Sequence, residues 1–228
     1  MSHRGSITVV SMTEEGLASG RTKDQLLRSA VHLFSVHGYN QTTIQQVVTH
    51  AGLTKGAFYH YFDGKDDVLR FIHDSYLSVE IDRATEVINQ DLDPVETVRA
   101  LTEVMIATIV QYRDRVTILA RERMSLTEGQ SAGLREKRDE FARLLTSVID
   151  RGIEERLFRS VDDPRMAAFA LIGMCSWVLE WYKPGGAKTV EEIARYYSDI
   201  FLIGLSNDGL HPTSGADSVV IDSPWRIE

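Results

Sequence analysis

The sequence is poor in cysteine and in long apolar runs, and each shortage excludes a class of protein. A single cysteine, Cys175, among 228 residues cannot form an intrachain disulfide, which is typical of a reducing compartment. Its apolar neighbours favour a packing role over a chemical one. The longest apolar run, residues 166–179, has 14 residues, fewer than the roughly 20 that a membrane-spanning helix needs. The first 20 residues lack the apolar centre of a signal peptide, so a cytoplasmic location is expected.

Motifs of the common helical and nucleotide-dependent enzymes are missing as well. Di-iron helical bundles use Glu-x-x-His pairs, and the sequence contains none. The pair Gly64-Lys65 lacks the glycine five residues earlier that a phosphate-binding loop requires, and Asp66 follows it. No group of histidines and cysteine has zinc-ligand spacing. We therefore expect a protein without catalytic residues, cofactor or metal ion.

The net charge of −8 argues at first against a nucleic-acid partner, but the charge is unevenly distributed. Residues 21–65 contain five basic and two acidic residues, together with four of the seven histidines. The rest of the chain contains 20 basic and 31 acidic residues. A basic head on an acidic body favours an anionic partner for the head alone.

Helical periodicity runs through the whole chain, and alternation of the strand type is scarce. The pattern predicts an all-α protein of nine helices, three short ones in an N-terminal head and six longer ones in a body. Cap and break residues set the predicted ends in the head at Gly38, Thr43, Ala51, Thr54 and Phe62. In the body, helices are predicted to begin at Lys65, Pro94, Pro164 and Val190, and to cover about 116–123 and 133–156.

The break at residues 51–54 between two short helices predicts a helix-turn-helix. The second of these helices starts with Thr54, Lys55 and Gly56, which supply a hydroxyl, a cation and a backbone without a side chain. Glycine at that position lets the backbone approach a DNA groove closely. These three residues therefore suit contact with DNA.

The same helix continues as Phe58-Tyr59-His60-Tyr61-Phe62, five consecutive rings. Phe58 and Phe62 are four residues apart and share one helical face, so both are expected in the core. Tyr59, His60 and Tyr61 can donate hydrogen bonds to phosphate oxygens and base edges. The alternative is an aromatic helix that is merely well packed, and we keep that interpretation for the phenylalanine pair.

These motifs carry a resemblance to a known family. The stretch HAGLTKGAFYHYF, preceded by Gly38-Tyr39 and Thr43-Ile44 and followed by Lys65, resembles the DNA-binding head of TetR-type repressors over about residues 22–72. The resemblance implies a homodimer that places its two heads in successive major grooves of a palindromic operator in double-stranded DNA. It also implies a protein located on the nucleoid when bound. The DNA contacts that it implies are Thr43, Thr54, Lys55, Gly56, Tyr59, His60, Tyr61 and Lys65.

In one respect the sequence departs from this pattern. Many such repressors have a basic arm before the first helix, whereas only Arg4, Arg21 and Lys23 are available here. A minor-groove contact by such an arm is therefore not expected. The resulting division is a disordered arm at 1–20, a helix-turn-helix domain at 21–66, a ligand-binding and dimerisation domain at 67–205, and a disordered tail at 206–228.

The last two predicted helices, Met166–Tyr182 and Thr189–Leu205, resemble the paired helices that form the TetR-type dimer interface. They are too apolar for an exposed surface, and a dimeric four-helix bundle would cover them. The alternative is that both are core helices of a monomer.

The body also offers apolar and basic residues for a small-molecule effector. The candidate ligand-binding residues are Met105, Ile109, Arg121, Met124, Phe169, Met174, Trp177 and Trp181. Methionine and tryptophan at helical spacing also suit an ordinary core. Basic residues cluster in two stretches, which also suit a solvated surface: Arg113, Arg115, Arg121 and Arg123, then Arg135, Lys137, Arg138 and Arg143. The alternative for the arginines is an anionic group of the ligand.

The segment 176–205 more weakly resembles regulators of fatty-acid and steroid catabolism, some of which release DNA on binding acyl-CoA. An acyl-CoA effector is the hypothesis that follows from this resemblance. Two other functions stay open: a regulator of drug efflux that responds to a hydrophobic drug, and a helical ligand-binding module that has lost DNA recognition.

Overall fold

The computed structural model describes residues 14–122 and 128–207, with side chains from residue 20 to 122 and from 133 to 207. These residues form an all-α fold, as predicted, and no strand occurs among them. No helix within these ranges is long and apolar enough to cross a membrane. The nine helices of this part of the chain are α1 Glu14–His37, α2 Ile44–Ala51, α3 Lys55–Tyr59, α4 Lys65–Ile88, α5 Pro94–Gln111, α6 Arg113–Arg121, α7 Glu128–Glu154, α8 Pro164–Trp181 and α9 Val190–Leu205.

Several helix ends differ from the sequence prediction. Helix α1 begins at Glu14, inside the stretch that we expected to be a disordered arm, and α7 begins at Glu128 instead of near Gly133. The glycines in both stretches suggested loops, but a helix interior tolerates glycine at a cost of about 1 kcal/mol. Helix α3 ends at Tyr59, three residues before the predicted end at Phe62.

The predicted caps of the short helix α2 are present and hold its two ends. The Thr43 hydroxyl accepts a hydrogen bond from the Gln46 amide at 3.2 Å, and the Gln46 side chain accepts one from the Thr43 amide at 2.8 Å. This reciprocal pair satisfies two amides that the helix itself leaves unpaired. At the other end, Gly52 has a φ of +65°, a left-handed conformation that favours glycine. The sharp turn into α3 depends on it.

The head has its own apolar core, formed by α1, α2, α3 and the first turns of α4. Its most buried members include Leu26, Phe58 and Leu69, each at most 1% exposed. Ile118 of α6 is also part of this core, although α6 otherwise belongs to the body. The head and body therefore share a packed boundary at α4 and α6.

The body core surrounds α5, which packs against α4, α7, α8 and α9. Met105 and Ile106 of α5 are almost fully buried there, as are Leu171 and Cys175 of α8. Burial raises the pKa of the Cys175 thiol to about 12, which agrees with a packing role for this residue.

The end of α7 makes an unusually close contact with the turn that follows it. A Cβ atom on Gly152 would lie 2.1 Å from the Phe158 ring, and Phe158 is 3% exposed.

We expect Gly152→Ala to lower the free energy of unfolding by about 3 kcal/mol, because the ring has no free space to move into. Gly133→Ala in the same helix is a matched control, since its Cβ would meet no atom within 4 Å. That change should raise the free energy of unfolding by about 1 kcal/mol. Equal effects in urea denaturation would contradict the packing argument.

Candidate functional site

The exposed surface of the head lies at the start of α3. The Thr54 hydroxyl accepts a hydrogen bond from the Ala57 amide at 3.2 Å and so fixes the first turn of the helix. Thr54, Lys55 and Gly56 are all exposed, and Thr43 at the start of α2 is exposed too. The first turn of α3 thus presents a hydroxyl, a cation and a bare backbone to solvent, and Thr43 adds a second exposed hydroxyl at the start of α2.

The five consecutive rings divide much as the sequence predicted. Phe58 and Phe62 are 1% and 2% exposed, which confirms them as core residues. Tyr59 is 55% exposed, and its ring packs edge-on against Phe58 with centroids 5.4 Å apart. His60 is exposed, whereas Tyr61 is partly buried and packs against the head core. Since α3 is only five residues long, Tyr61 lies beyond its end, and its ring is less exposed to solvent than that of Tyr59.

Lys65 occupies a different environment from the one we predicted for a phosphate contact. Its ammonium donates hydrogen bonds to the carbonyls of Tyr39 at 2.7 Å and Thr42 at 2.9 Å. It also lies 4.2 Å from the centre of the Tyr39 ring. Partial burial lowers the pKa of Lys65, while Asp66 and Glu122 act in the opposite direction. The side chain holds the loop between α1 and α2 in place.

Sequence reasoning missed exposed polar residues on α2 that lie next to this surface. Gln45 donates a hydrogen bond to the Thr49 hydroxyl at 3.2 Å, and both side chains are exposed. His50 is exposed as well, with Nδ1 3.0 Å from the Ser29 hydroxyl. Buried Val47 and Val48 mark the opposite face of α2. That spacing in the sequence could have identified the outward-facing positions.

A cavity of about 500 Å³ lies in the body between helices α4 to α8. Its lining is mostly apolar and includes Leu77, Ile109, Phe141, Phe169, Ile172 and Trp177. Its polar members are Tyr76, Glu80, Arg138, Ser176 and Glu180. Such a space, apolar with a few polar groups, is the usual form of a small-molecule site.

Three of the eight predicted ligand-binding residues line this cavity: Ile109, Phe169 and Trp177. The structure places the others elsewhere. Met105 is 1% exposed within the body core, and Met174 and Trp181 of α8 are not among the lining residues, although Trp181 lies one turn beyond Trp177. Arg121 is exposed and donates a hydrogen bond to the Ser35 carbonyl at 3.4 Å. Met124 lies outside the described residues.

Two of the clustered arginines hold parts of the body together. Arg113 donates a hydrogen bond to the Tyr182 carbonyl at 3.0 Å, and Arg115 donates one to the Ser75 hydroxyl at 3.2 Å. Arg138 is the arginine that lines the cavity. The anionic-ligand interpretation therefore applies to Arg138 more directly than to the cluster as a whole.

A buried carboxyl group lies in the wall of the cavity. Glu80 is 8% exposed and accepts a hydrogen bond from the Tyr76 hydroxyl at 3.1 Å. Burial raises the pKa of Glu80 from its usual 4.5 to about 7, while Tyr76 and Arg138 oppose that rise. Burial and Arg138 also lower the pKa of His73, about two turns away on α4, to about 4. Glu80 therefore keeps its proton to a higher pH than an ordinary carboxyl, and His73 stays neutral to a lower pH than an ordinary imidazole.

The raised pKa of Glu80 predicts a measurable pH dependence of stability. The folded protein keeps this proton up to about pH 7, whereas the unfolded chain loses it near pH 4.5. Unfolding therefore releases a proton in this window, and the contribution of Glu80 to the free energy of unfolding falls as pH rises. Relative to a Glu80→Gln variant, the wild type should lose about 3 kcal/mol between pH 4.5 and 7. Urea denaturation at one protein concentration measures this difference, and parallel pH profiles would contradict it.

Exposed apolar side chains form a stripe along α8 and another along α9, which we call the apolar face. On α8 the stripe consists of Met166, Phe169, Trp177 and Trp181, and on α9 of Tyr196, Ile200 and Ile203. Trp177, Tyr196 and Ile203 are each about two-thirds exposed, at 65%, 66% and 67%. Exposed apolar stripes of this kind are typical of interaction sites.

Comparison with known proteins agrees with the geometry of both parts of the chain. The family model described as "Bacterial regulatory proteins, tetR family" matches residues 26–71, and "Tetracyclin repressor-like, C-terminal domain" matches residues 91–205. The HTH-type transcriptional repressor KstR2 of Rhodococcus jostii (strain RHA1) is 31% identical over 191 residues, covering 83% of this chain and 93% of that repressor.

Solved structures agree in fold over most of the chain. The TetR family transcriptional regulator PfmR from Thermus thermophilus is 29% identical with a TM-score of 0.72, covering 82% of this chain and 99% of that one. AibR, solved in complex with isovaleryl coenzyme A and operator DNA, is 25% identical with a TM-score of 0.71. The match covers 79% of this chain and 97% of AibR. With a helix-turn-helix head, a helical body and these relatives, the chain belongs to the TetR family of bacterial transcriptional regulators.

Proposed function

We propose that this protein is a repressor that binds a palindromic operator as a homodimer and releases it when a small amphipathic effector enters the cavity. The observation that carries the proposal is the start of α3. Thr54, Lys55 and Gly56 face solvent there, beside the exposed Tyr59, on a helix fixed by the buried Phe58. A helix-turn-helix with this composition is suited to the major groove.

The proposed contacts have separate tasks. Lys55 neutralises a phosphate, and Tyr59 and His60 donate hydrogen bonds to phosphate or base edges. Thr43 and Thr54 add hydroxyl groups at the starts of α2 and α3. Lys65 and Tyr61 support this surface from within the head, Lys65 through its bonds to the loop carbonyls.

The apolar face supports the homodimer. Its residues follow one side of each helix: positions 166, 169, 177 and 181 on α8, and 196, 200 and 203 on α9. A second copy related by a two-fold axis would cover the same residues on both chains in a four-helix arrangement. Two heads held in this way can occupy two half-sites of a palindrome.

Two helices connect the cavity with the head. Helix α4 lines the cavity with Tyr76, Leu77 and Glu80, and its first turns bury Leu69 and Ile72 in the head core. Helix α6 lines the cavity with Val116 and Leu119 among others, and buries Ile118 in the head core. An effector that binds more tightly when these helices shift would favour the conformer whose head spacing does not match the operator.

An acyl-CoA is the proposed effector class. AibR, a relative of the same fold, has been solved with isovaleryl coenzyme A and operator DNA. A cavity of about 500 Å³ would take an acyl group, and Arg138 in its lining could contact an anionic group of the ligand. Titration of acyl-CoAs of increasing chain length against the protein–operator complex should release DNA at micromolar concentration, and free coenzyme A should not. Release by hydrophobic drugs alone would favour the drug-efflux regulator instead.

The DNA-binding proposal is tested by the salt dependence of binding to a duplex selected from a random library. Each phosphate contact releases counterions, so a dimer with six or more contacts should lose about 10³-fold in affinity between roughly 50 and 200 mM salt. Fluorescence anisotropy of the labelled duplex measures this slope. Affinity that does not depend on salt would contradict the proposed interface and favour a module without DNA recognition.

A further inference from the structure

We infer that Glu80 is the specificity-determining residue of the effector cavity and that it binds a hydroxyl group at the inner end of an otherwise apolar effector. This inference rests on the proposed effector site and deepens it. It concerns the part of the ligand that enters the protein, whatever group remains outside.

The exposure of the lining residues shows which end of the cavity is the inner one. Phe169 and Trp177 are 42% and 65% exposed in the single chain, and Glu180 is exposed, so the open side of the cavity borders the apolar face that the proposed dimer covers. Tyr76 and Glu80 are 4% and 8% exposed and lie on the buried side of the same cavity. A ligand whose apolar part fills the cavity therefore meets the carboxyl of Glu80 on that buried side.

A buried carboxyl is costly unless it has hydrogen-bond partners. The Tyr76 hydroxyl donates one hydrogen bond to Oε1 of Glu80 at 3.1 Å. A carboxylate has two oxygens and about four acceptor sites, so capacity for a further donor remains. Leu77, Ile109 and Phe141 in the surrounding wall have no side-chain donor, and neither Arg138 nor Ser176 of the lining hydrogen-bonds to Glu80, so a ligand group can supply that donor.

The charges around Glu80 favour a neutral donor over a cation. From α7, Arg138 lines the same cavity and acts on the carboxyl electrostatically. From α8, the Cys175 thiol is close enough to be affected by Glu80, and Tyr76 lies on the same helix as Glu80. An ammonium group would have to approach Arg138, whereas a hydroxyl carries no net charge. A ketone offers no proton to a carboxylate.

A matched pair of bicyclic probes separates these possibilities. The alcohol 2-decalol and the ketone 2-decalone have the same skeleton, and both oxygens accept hydrogen bonds, but only the alcohol can also donate one. At about pH 8, where Glu80 is largely ionised, the wild type should bind the alcohol about tenfold more tightly, as expected for a hydrogen bond to a charged group. At about pH 6 the protonated carboxyl can donate to the ketone, and the preference should shrink to about twofold or less.

The experiment compares the dissociation constants of the two probes by ligand-observed NMR titration of the intact protein. In Glu80→Leu the ratio should fall to about one, and Glu80→Gln, which keeps the shape of the side chain, should also reduce it. Glu86→Leu, on the exposed side of α4, is the matched control and should keep the wild-type ratio. An unchanged ratio in both Glu80 variants, or failure of both probes to bind the wild type, would overturn the inference.

Binding of the selected operator duplex, measured on the same variants, separates this inference from the proposed function. Intact operator binding without a hydroxyl preference removes the role of Glu80 and leaves the DNA-binding proposal standing. A hydroxyl preference without operator binding supports the role of Glu80 and removes the DNA-binding proposal.

Discussion

Tyr59→Ala is expected to weaken binding to the selected operator about a hundredfold while leaving the fold and the oligomeric state unchanged. Tyr59 is 55% exposed on α3, so its removal costs little in packing. A hydrogen bond to a charged phosphate is worth about 1.5 kcal/mol, and a dimer loses two of them. Anisotropy titration at fixed salt measures the change.

Two further variants separate the hydroxyl of Tyr59 from its ring. Tyr59→Phe keeps the edge-on contact with Phe58 at 5.4 Å and should show an intermediate loss. Leu157→Ala truncates a residue of the body that is 43% exposed and should bind the operator as the wild type does. Wild-type affinity in Tyr59→Ala would remove α3 as the DNA-contacting surface.

Ile203→Glu is expected to convert the proposed dimer to monomers at micromolar concentration. Ile203 is 67% exposed in the single chain and lies in the apolar face of α9. A charge buried without a partner costs about 3 kcal/mol, and a two-fold interface contains the substitution twice. The dimer dissociation constant should therefore rise about 10⁴-fold.

Sedimentation velocity measures this dissociation, and operator affinity should fall with it because one head alone contacts only one half-site. The matched control is Val36→Glu, which places the same charge on an apolar residue of α1 that is 60% exposed. If Ile203→Glu stays dimeric, the apolar face is not the interface. If Val36→Glu also dissociates, the loss does not arise from that face.

The sequence determined the head in detail because its signals are local. Thr43 and Gly52 act within a few residues of their own positions, and the structure has both where the pattern placed them. The spacing of Phe58 and Phe62 was sufficient to predict their burial. Lys65 was interpreted differently because its partners, the carbonyls of Tyr39 and Thr42, lie 26 and 23 residues away in the chain.

The cavity was much harder to predict, for a physical reason. Helices α5 and α8 are apolar on most sides. Periodicity alone therefore does not tell which face of each helix lies in the core and which borders a cavity, and so it does not place Met105 or Met174. Glu80 lies in a stretch with Asp82 and Glu86, and nothing in the sequence marks it as the buried carboxyl of the three. Only the packing of α4 against its neighbours in the body makes that distinction.

One affinity ratio shows most directly whether the head recognises a specific DNA sequence. The measurement compares binding of the dimer to the selected palindromic duplex and to a scrambled duplex of the same composition, at the same physiological salt. A ratio of about 10³ or more is predicted, since base contacts must add to the contacts with phosphate. Equal affinity for the two duplexes would contradict the account.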